Sequence, residues 1–270
     1  MSRATTDDPP IVVRQMGFEF DDLPRYWLRD SPFLTQLVNG LHFVFPAGER
    51  FFIRSVKRYR DQLDPELAER VRSFSAQEAQ HQLEHRRAFE AIEEQGYDVQ
   101  SFLKWYRELA YEQIEEVSTP MMCLAATAAL EHYTAVLGEF ALESDFLDEC
   151  EPRMRALLKW HACEEIEHKS VTFDVLEEVS GSYLVRQIGL LLATLNLFFF
   201  WAHGVRHMME QEPDEVRTGW VRSAIGTMAP IFAQITPQIL EYLKPGFHPD
   251  DQDNYELARE YLESVGRLDA

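Results

Sequence analysis

The sequence predicts an all-α fold, and three observations predict it. Side chains suited to holding a metal recur at helical spacing: Glu78 and His81 three apart, then His161, Glu165 and His168 four and three apart. The apolar residues around them recur every three or four positions, the period of a helix. No segment alternates apolar and polar residues as a half-buried strand does, and there is no fixed-period repeat or low-complexity tract. Helix following helix with short links means a bundle.

The elements follow in order. Met1 to Pro10 is polar and acidic and lacks the apolar stretch of a signal peptide. Residues 1–15 read as disordered or as an extended arm. Gly17 to Pro32 mixes Phe, Trp, Asp and Pro and reads as an ordered, irregular lead-in, so residues 1–32 form an N-terminal arm. A helix is expected from about Phe33 to Leu41. Pro46 suits the first turn of the next, which carries Glu49, Phe52, Ile53 and Val56 on one face and ends near Leu63. Asp64-Pro65-Glu66 restarts a helix with an N-cap, a first-turn proline and an acid at the positive helix end. That helix runs over about 66–95, with Val71, Phe74, Glu78, His81, His85, Phe89 and Ile92 inward, and Gly96 stops it.

A further helix covers roughly Val99 to Val117. Ser118-Thr119-Pro120 caps another, whose stripe reads Leu124, Thr127, Glu131, Ala135, Gly138 and Leu142. Ala125, Ala126, Ala128 and Ala129 beside it let a neighbouring helix or a substrate approach. Pro152 opens a helix expected to run unbroken to Val179, with Leu158, His161, Glu165, His168, Thr172 and Val175 inward. Residues 33–180 thus form the bundle. Residues 181–270 read as additional apolar and amphipathic helices packed on it within a single domain: Ile188–Ala202, then Asp214 to Leu243 kinked at Pro230 and Pro237, then the acidic Asp253 to Val265.

Composition limits the function. The formal net charge of −20 excludes ordinary electrostatic binding of nucleic acid. Cys123, Cys150 and Cys163 are odd in number and lack paired spacing, so they read as reduced thiols of a cytoplasmic protein. Cys163 lies about 200° round the helix from His161 and should miss the site.

The proposed ligands are Glu49, Glu78, His81, Glu131, His161, Glu165 and His168. Carboxylates bridge or chelate and imidazoles cap, and helices place them without strain. Four carboxylates neutralise two divalent ions, so the set can be buried. Two first-row ions are expected, Fe/Fe or Mn/Fe. Glu131 and His132 are adjacent, but only Glu131 falls on the Leu124–Thr127–Ala135 stripe. His85 is an eighth ligand or orients a ligand from behind. Glu84, Glu164 and Glu167 fall off the ligand faces and are expected in solvent.

Two helices carrying Glu-x-x-His and two more supplying one Glu each resemble the ferritin-like dimetal-carboxylate bundle. The order Glu, ExxH, Glu, HxxxExxH resembles the arylamine N-oxygenases, diiron enzymes that oxidise aminobenzoates to nitro compounds; this resemblance covers roughly 45–180. The whole chain looks like a bacterial ferritin-like family labelled predicted metal-dependent hydrolase. The family's implied metal ligands are the same seven residues. His85, the Ile188–Ala202 segment and the C-terminal helices depart from the N-oxygenase pattern.

Three functions compete. The first is a diiron oxidoreductase that uses O2 and an electron donor to oxygenate or desaturate a small or lipid-like substrate. The second is a metal-dependent hydrolase with a metal-bound water and Glu131 or Glu165 as catalytic base. The third is non-catalytic metal binding or iron storage. Ile188–Ala202 is apolar with only Thr194 and Asn196 polar, shorter than the ~20 residues of a comfortable span. Its aromatic run, Phe198 to Trp201, is expected to be buried by protein near the entrance to the site, implying an apolar, acyl-chain substrate. A homodimer interface and peripheral contact with a membrane are the alternatives for it.

Overall fold

The computed structural model describes residues 10–269. In chain order the helices are α1 (Pro32–His42), α2 (Phe45–Lys57), α3 (Pro65–Glu94) and α4 (Gln100–Leu109). A π turn over Ala110–Ile114 continues α4 into the short α5 (Glu115–Val117). Then come α6 (Pro120–Glu143), α7 (Pro152–His168), α8 (Val171–Val179) and α9 (Tyr183–Met209). α10 (Asp214–Arg217), α11 (Trp220–Glu241) and α12 (Tyr255–Ser264) follow. Among the described residues there is no strand, only an isolated bridge between Leu28 and Cys150.

The helix starts follow from local chemistry. Asp64 accepts hydrogen bonds from the amides of Glu66 and Leu67, Thr119 from Met122, and Glu151 from Arg153 and Met154. Each cap satisfies amides that the first turn leaves without a partner, and a proline at the first helical position follows each of the three. Gly96, at φ +91°, takes the left-handed conformation that ends α3.

α2, α3, α6 and α7 make the four-helix unit: α2 packs on α3 and α6, and α7 packs on the same two. Phe74, Val71 and Leu124 fill its interior beside the site. Each contributes about 1.5–3 kcal/mol by leaving water. α9 lies along α6 and α1, α11 touches α6 and α1, and α12 covers α7 and α6.

Several boundaries differ from the sequence expectation. The chain over 150–179 is two helices, because it turns at Lys169 and Ser170. There the buried Lys169 ammonium reaches out to Gln252 and Asn254, and Arg70 holds Ser170 Oγ at 2.7 Å and Asp174 at 2.8 Å. The helix expected over 99–117 contains the π turn. That turn puts Tyr106 and Tyr111, five residues apart, on one face with their hydroxyls 2.5 Å apart. Gly219, at φ +84°, splits the helix expected over 214–243, whereas Pro230 and Pro237 both lie inside α11. The disordered or extended stretch expected over 1–15 lies, for 1–9, outside the described residues; Arg14 is fully buried.

α9 contains Ile188–Ala202 and is long and apolar enough to cross a membrane by length and composition, the one such helix among the described residues. Only one side of it is covered. Gly189, Leu190, Ala193 and Phe200 face inward, while Leu184, Leu191, Leu195 and Phe199 are exposed at 68%, 59%, 60% and 44%. Full burial by protein is therefore not what happens. Phe198 turns towards Tyr133 and Phe232, and Trp201 donates its indole N–H to Leu37 O at 2.9 Å. The close approach depends on glycine: a Cβ on Gly189 would lie 2.5 Å from the carbonyl carbon of Ala125.

Gly189→Val should accordingly cost at least about 1–3 kcal/mol, because backbone cannot give way as a side chain does. Gly226→Ala is the contrast. Nothing lies within 4 Å of its Cβ position, so Ala should stabilise α11 by about 0.4–1 kcal/mol. Thermal unfolding of the two variants should shift in opposite directions.

Candidate metal centre

The four bundle helices aim ligand-type side chains at one place. α2 brings Glu49; α3 brings Glu78, His81 and His85; α6 brings Glu131; α7 brings His161, Glu165 and His168. All eight are buried. Their donor atoms form overlapping groups whose members lie within 4.8 Å of one another. Glu78, Glu131, Glu165 and His168 make one; Glu49, Glu78 and His81 another; His81, His161 and Glu165 a third; and Glu49, His85 and His161 the last.

Individual separations show which atoms converge. His168 Nε2 is 3.3 Å from Glu131, 3.4 Å from Glu78 and 3.6 Å from Glu165. His81 Nδ1 is 3.5 Å from Glu165 and 3.6 Å from Glu78. His161 Nε2 is 2.8 Å from Glu165 and 3.7 Å from Glu49. Both oxygens of Glu49, Glu78 and Glu131, one of Glu165, and the nitrogens His81 Nδ1 and His168 Nε2 are buried without a hydrogen-bond partner among the described residues. Buried polar atoms normally have partners. A cluster of orphaned acceptors pointing at one volume is what a cation site requires, so these residues fit a metal.

Each ring is held from behind through its other nitrogen. Glu164 sits 2.9 Å from His81 Nε2, Gln77 Oε1 is 2.9 Å from His168 Nδ1, and His85 Nε2 is 2.9 Å from His161 Nδ1. His42 in turn contacts His85. Such partners fix the tautomer and orientation of a ligating imidazole. Phe45 meets His161, Phe74 meets His168 and Trp160 meets His81, all edge-on with ring centres 4.9–5.0 Å apart.

The electrostatics are those of crowded anions. Burial, then the charge of Glu165, raises the carboxyls of Glu49 and Glu78 well above their ordinary value. Burial raises Glu131 to about 7, and likewise Glu164 to about 7. At His168 burial works against the proton, but Glu165 and Glu131 outweigh it and carry the group up to about 10. Glu165 feels the converse: His168 and His161 overcome burial and hold it ionised. Without metal, protons take the place of the cations.

Three glutamates expected in solvent are buried. Glu164 binds Trp160 Nε1 at 2.9 Å and Arg14 at 3.0 Å besides His81. Glu167 takes two hydrogen bonds from Arg14 and one from Gln77. Glu84 accepts from the amides of Gly17 and Phe18. The cause is tertiary: the N-terminal arm and the C-terminal segment cover α7 and α3 on the sides away from the ligands. His132 faces Gln238 O at 3.2 Å and stacks near Tyr242, away from the cluster. Cys163 packs in the apolar core with Trp160 and Ile166. His42, Gln77, Glu164 and Arg14 were not legible as site residues.

Two outcomes follow. Glu164→Ala should weaken metal binding about 10–100-fold, with Glu164→Gln, which keeps an acceptor, losing less; chelator competition measures this. The second concerns pH. Glu131 and Glu164 have folded-state values raised from 4.5 to about 7. Their contribution to the metal-free fold is therefore present below the unfolded value and lost as pH rises through the folded one. Metal replaces those protons. The rise in Tm on adding metal should be larger near pH 8 than near pH 5, with proton release seen by calorimetry in buffers of different ionisation heat.

Comparison with known proteins agrees with a metal-dependent role. Residues 12–253 match the family described as predicted metal-dependent hydrolase. No curated protein and no solved structure matches significantly. The match spans most of the chain, and the protein therefore belongs to the predicted metal-dependent hydrolase family.

Proposed function

We propose that this chain is a dimetal enzyme, in which Glu49, Glu78, His81, Glu131, His161, Glu165 and His168 would hold two ions. The observation that carries this is the convergence of four buried carboxylates, all but one of whose oxygens lack a hydrogen-bond partner among the described residues. Two divalent ions neutralise four carboxylates, and neutrality is what a buried site tolerates. Carboxylate and imidazole donors suit an iron pair, or manganese with iron.

Bound there, such a pair would supply redox chemistry with O2 to a substrate beside it. The chain's own residues do the rest. Glu164, Gln77 and His85 hold the three rings in register. Phe45, Phe74 and Trp160 keep water from them. The cavity of about 120 Å³ that borders His161 and Glu165 is walled mainly by apolar side chains such as Leu37, Val38, Leu158 and Met228. That wall suits an apolar substrate. An external electron donor is required by this reading.

Hydrolysis is the second reading, and the family's description favours it. Glu165 or Glu131 would then take a proton from the attacking water. Metal analysis combined with two assays separates the readings. Two irons per chain, with O2 consumed when the anaerobically reduced protein meets air, supports oxidation. Anaerobic cleavage of medium-chain esters by the metal-loaded protein, without O2 uptake, replaces it with hydrolysis. Uptake of many irons per chain would make it a store.

A further inference from the structure

Three spaces lie in a row in this molecule, and their order names a ligand. The first is the cavity beside His161 and Glu165, about 120 Å³ in volume. The second, about 130 Å³, lies between α2, the π turn, α6 and α9, among Phe52, Tyr111, Leu130, Tyr133 and Phe200. Leu41, Phe45, Thr134 and Leu137 line both, so these four side chains are the septum between them. The third is a surface groove that shares Tyr111, Glu115 and Ser118 with the second cavity.

The groove differs from the rest of a chain whose net charge is −20. It gathers Arg50, Arg54, Arg58 and Arg107 against Glu112, Glu115 and Glu116. Glu115 is held at the rim by Arg54 at 2.6 Å and Arg58 at 3.4 Å, so this groove already fixes one carboxylate. Arg107 leans towards Glu112 at 3.7 Å. Arg50 is exposed and has no ion-pair partner among the described residues. Its charge also reaches Glu49, the next residue in the chain, and it lines the groove at the outer end of the apolar spaces.

We propose that the ligand of this site is a linear alkyl carboxylate, its head on Arg50 in the groove and its chain running through both cavities towards the metal centre. This rests on the metal-centre reading above and gives it a substrate class. Each cavity is close in size to the roughly 150 Å³ apolar void that takes up one benzene ring, so the pair holds a chain of about ten carbons. The carbons presented to His161 and Glu165 are then those far from the head.

The test is titration calorimetry on the purified, metal-loaded protein with decanoate, decanol and decyltrimethylammonium. Decanoate should bind most tightly. Arg50→Glu should weaken decanoate at least about tenfold, the worth of one charged hydrogen bond, and leave decanol unchanged. Leu137→Trp, which fills the septum, should move the preferred chain from decanoate to hexanoate. If that variant does not fold, Thr134→Met makes the same test. Decanol binding as tightly as decanoate, or an Arg50→Glu variant with unaltered decanoate affinity, overturns the assignment of the head. A septum variant that folds and keeps its preference for decanoate overturns the path of the chain. Metal content is measured in the same samples. Protein that binds decanoate through Arg50 yet holds no metal sinks the metal-centre reading and leaves the ligand standing; the reverse pattern sinks only the ligand.

Discussion

Four carboxylates share one buried interior, and most of the molecule is arranged around that fact. Glu49, Glu78, Glu131 and Glu165 are each at most 3% exposed. An ionised carboxylate taken out of water costs several kcal/mol unless something compensates it. In this protein the compensation available from the chain is small: a proton on His168, and protons on carboxyls whose pKa values burial has raised. Apart from the contact of His161 with Glu165, the oxygens have no hydrogen-bond partner among the described residues. A site built this way is poorly stable by itself and well matched to cations, and the family assignment points to the same role for it.

Holding the imidazoles still requires a second layer, and that layer comes from distant parts of the chain. Arg14 is the clearest case. It is fully buried, it binds Glu164 and Glu167 on α7, and it donates to the carbonyls of Arg267 and Leu268 near the other terminus. One guanidinium thereby ties both ends of the chain to the helix that carries His161, Glu165 and His168. Glu164 passes that restraint to His81. The π turn after α4 brings Tyr106 and Tyr111 together, and both line the second cavity.

α9 follows a different logic. Its inner face packs so closely that glycines at 189 and 204 are needed where it meets α6 and α1. Its outer face keeps Leu184, Leu191 and Leu195 in the open. The same helix walls the second cavity through Ala193, Leu197 and Phe200. An apolar surface and an apolar interior therefore meet along one element, which suits a protein that handles apolar molecules.

The sequence by itself determined the all-α class, most helix starts, and the seven residues that the bundle brings together. Helical period and capping are local, and a residue at i, i+3 or i+4 shares a face whatever the rest of the chain does. It also placed Glu131 rather than His132 on the stripe that turns inward. It did not determine what lies behind those faces. Glu164, Glu167 and Glu84 read as solvated because helical phase says only which way a side chain points. Whether water or another segment is waiting there depends on where residues 10–18 and 252–268 fold back. The break at Lys169 was decided in the same way, by contacts with Gln252, Asn254 and Arg70 far away in the chain. Such contacts leave no period in the sequence, and only the tertiary structure shows them.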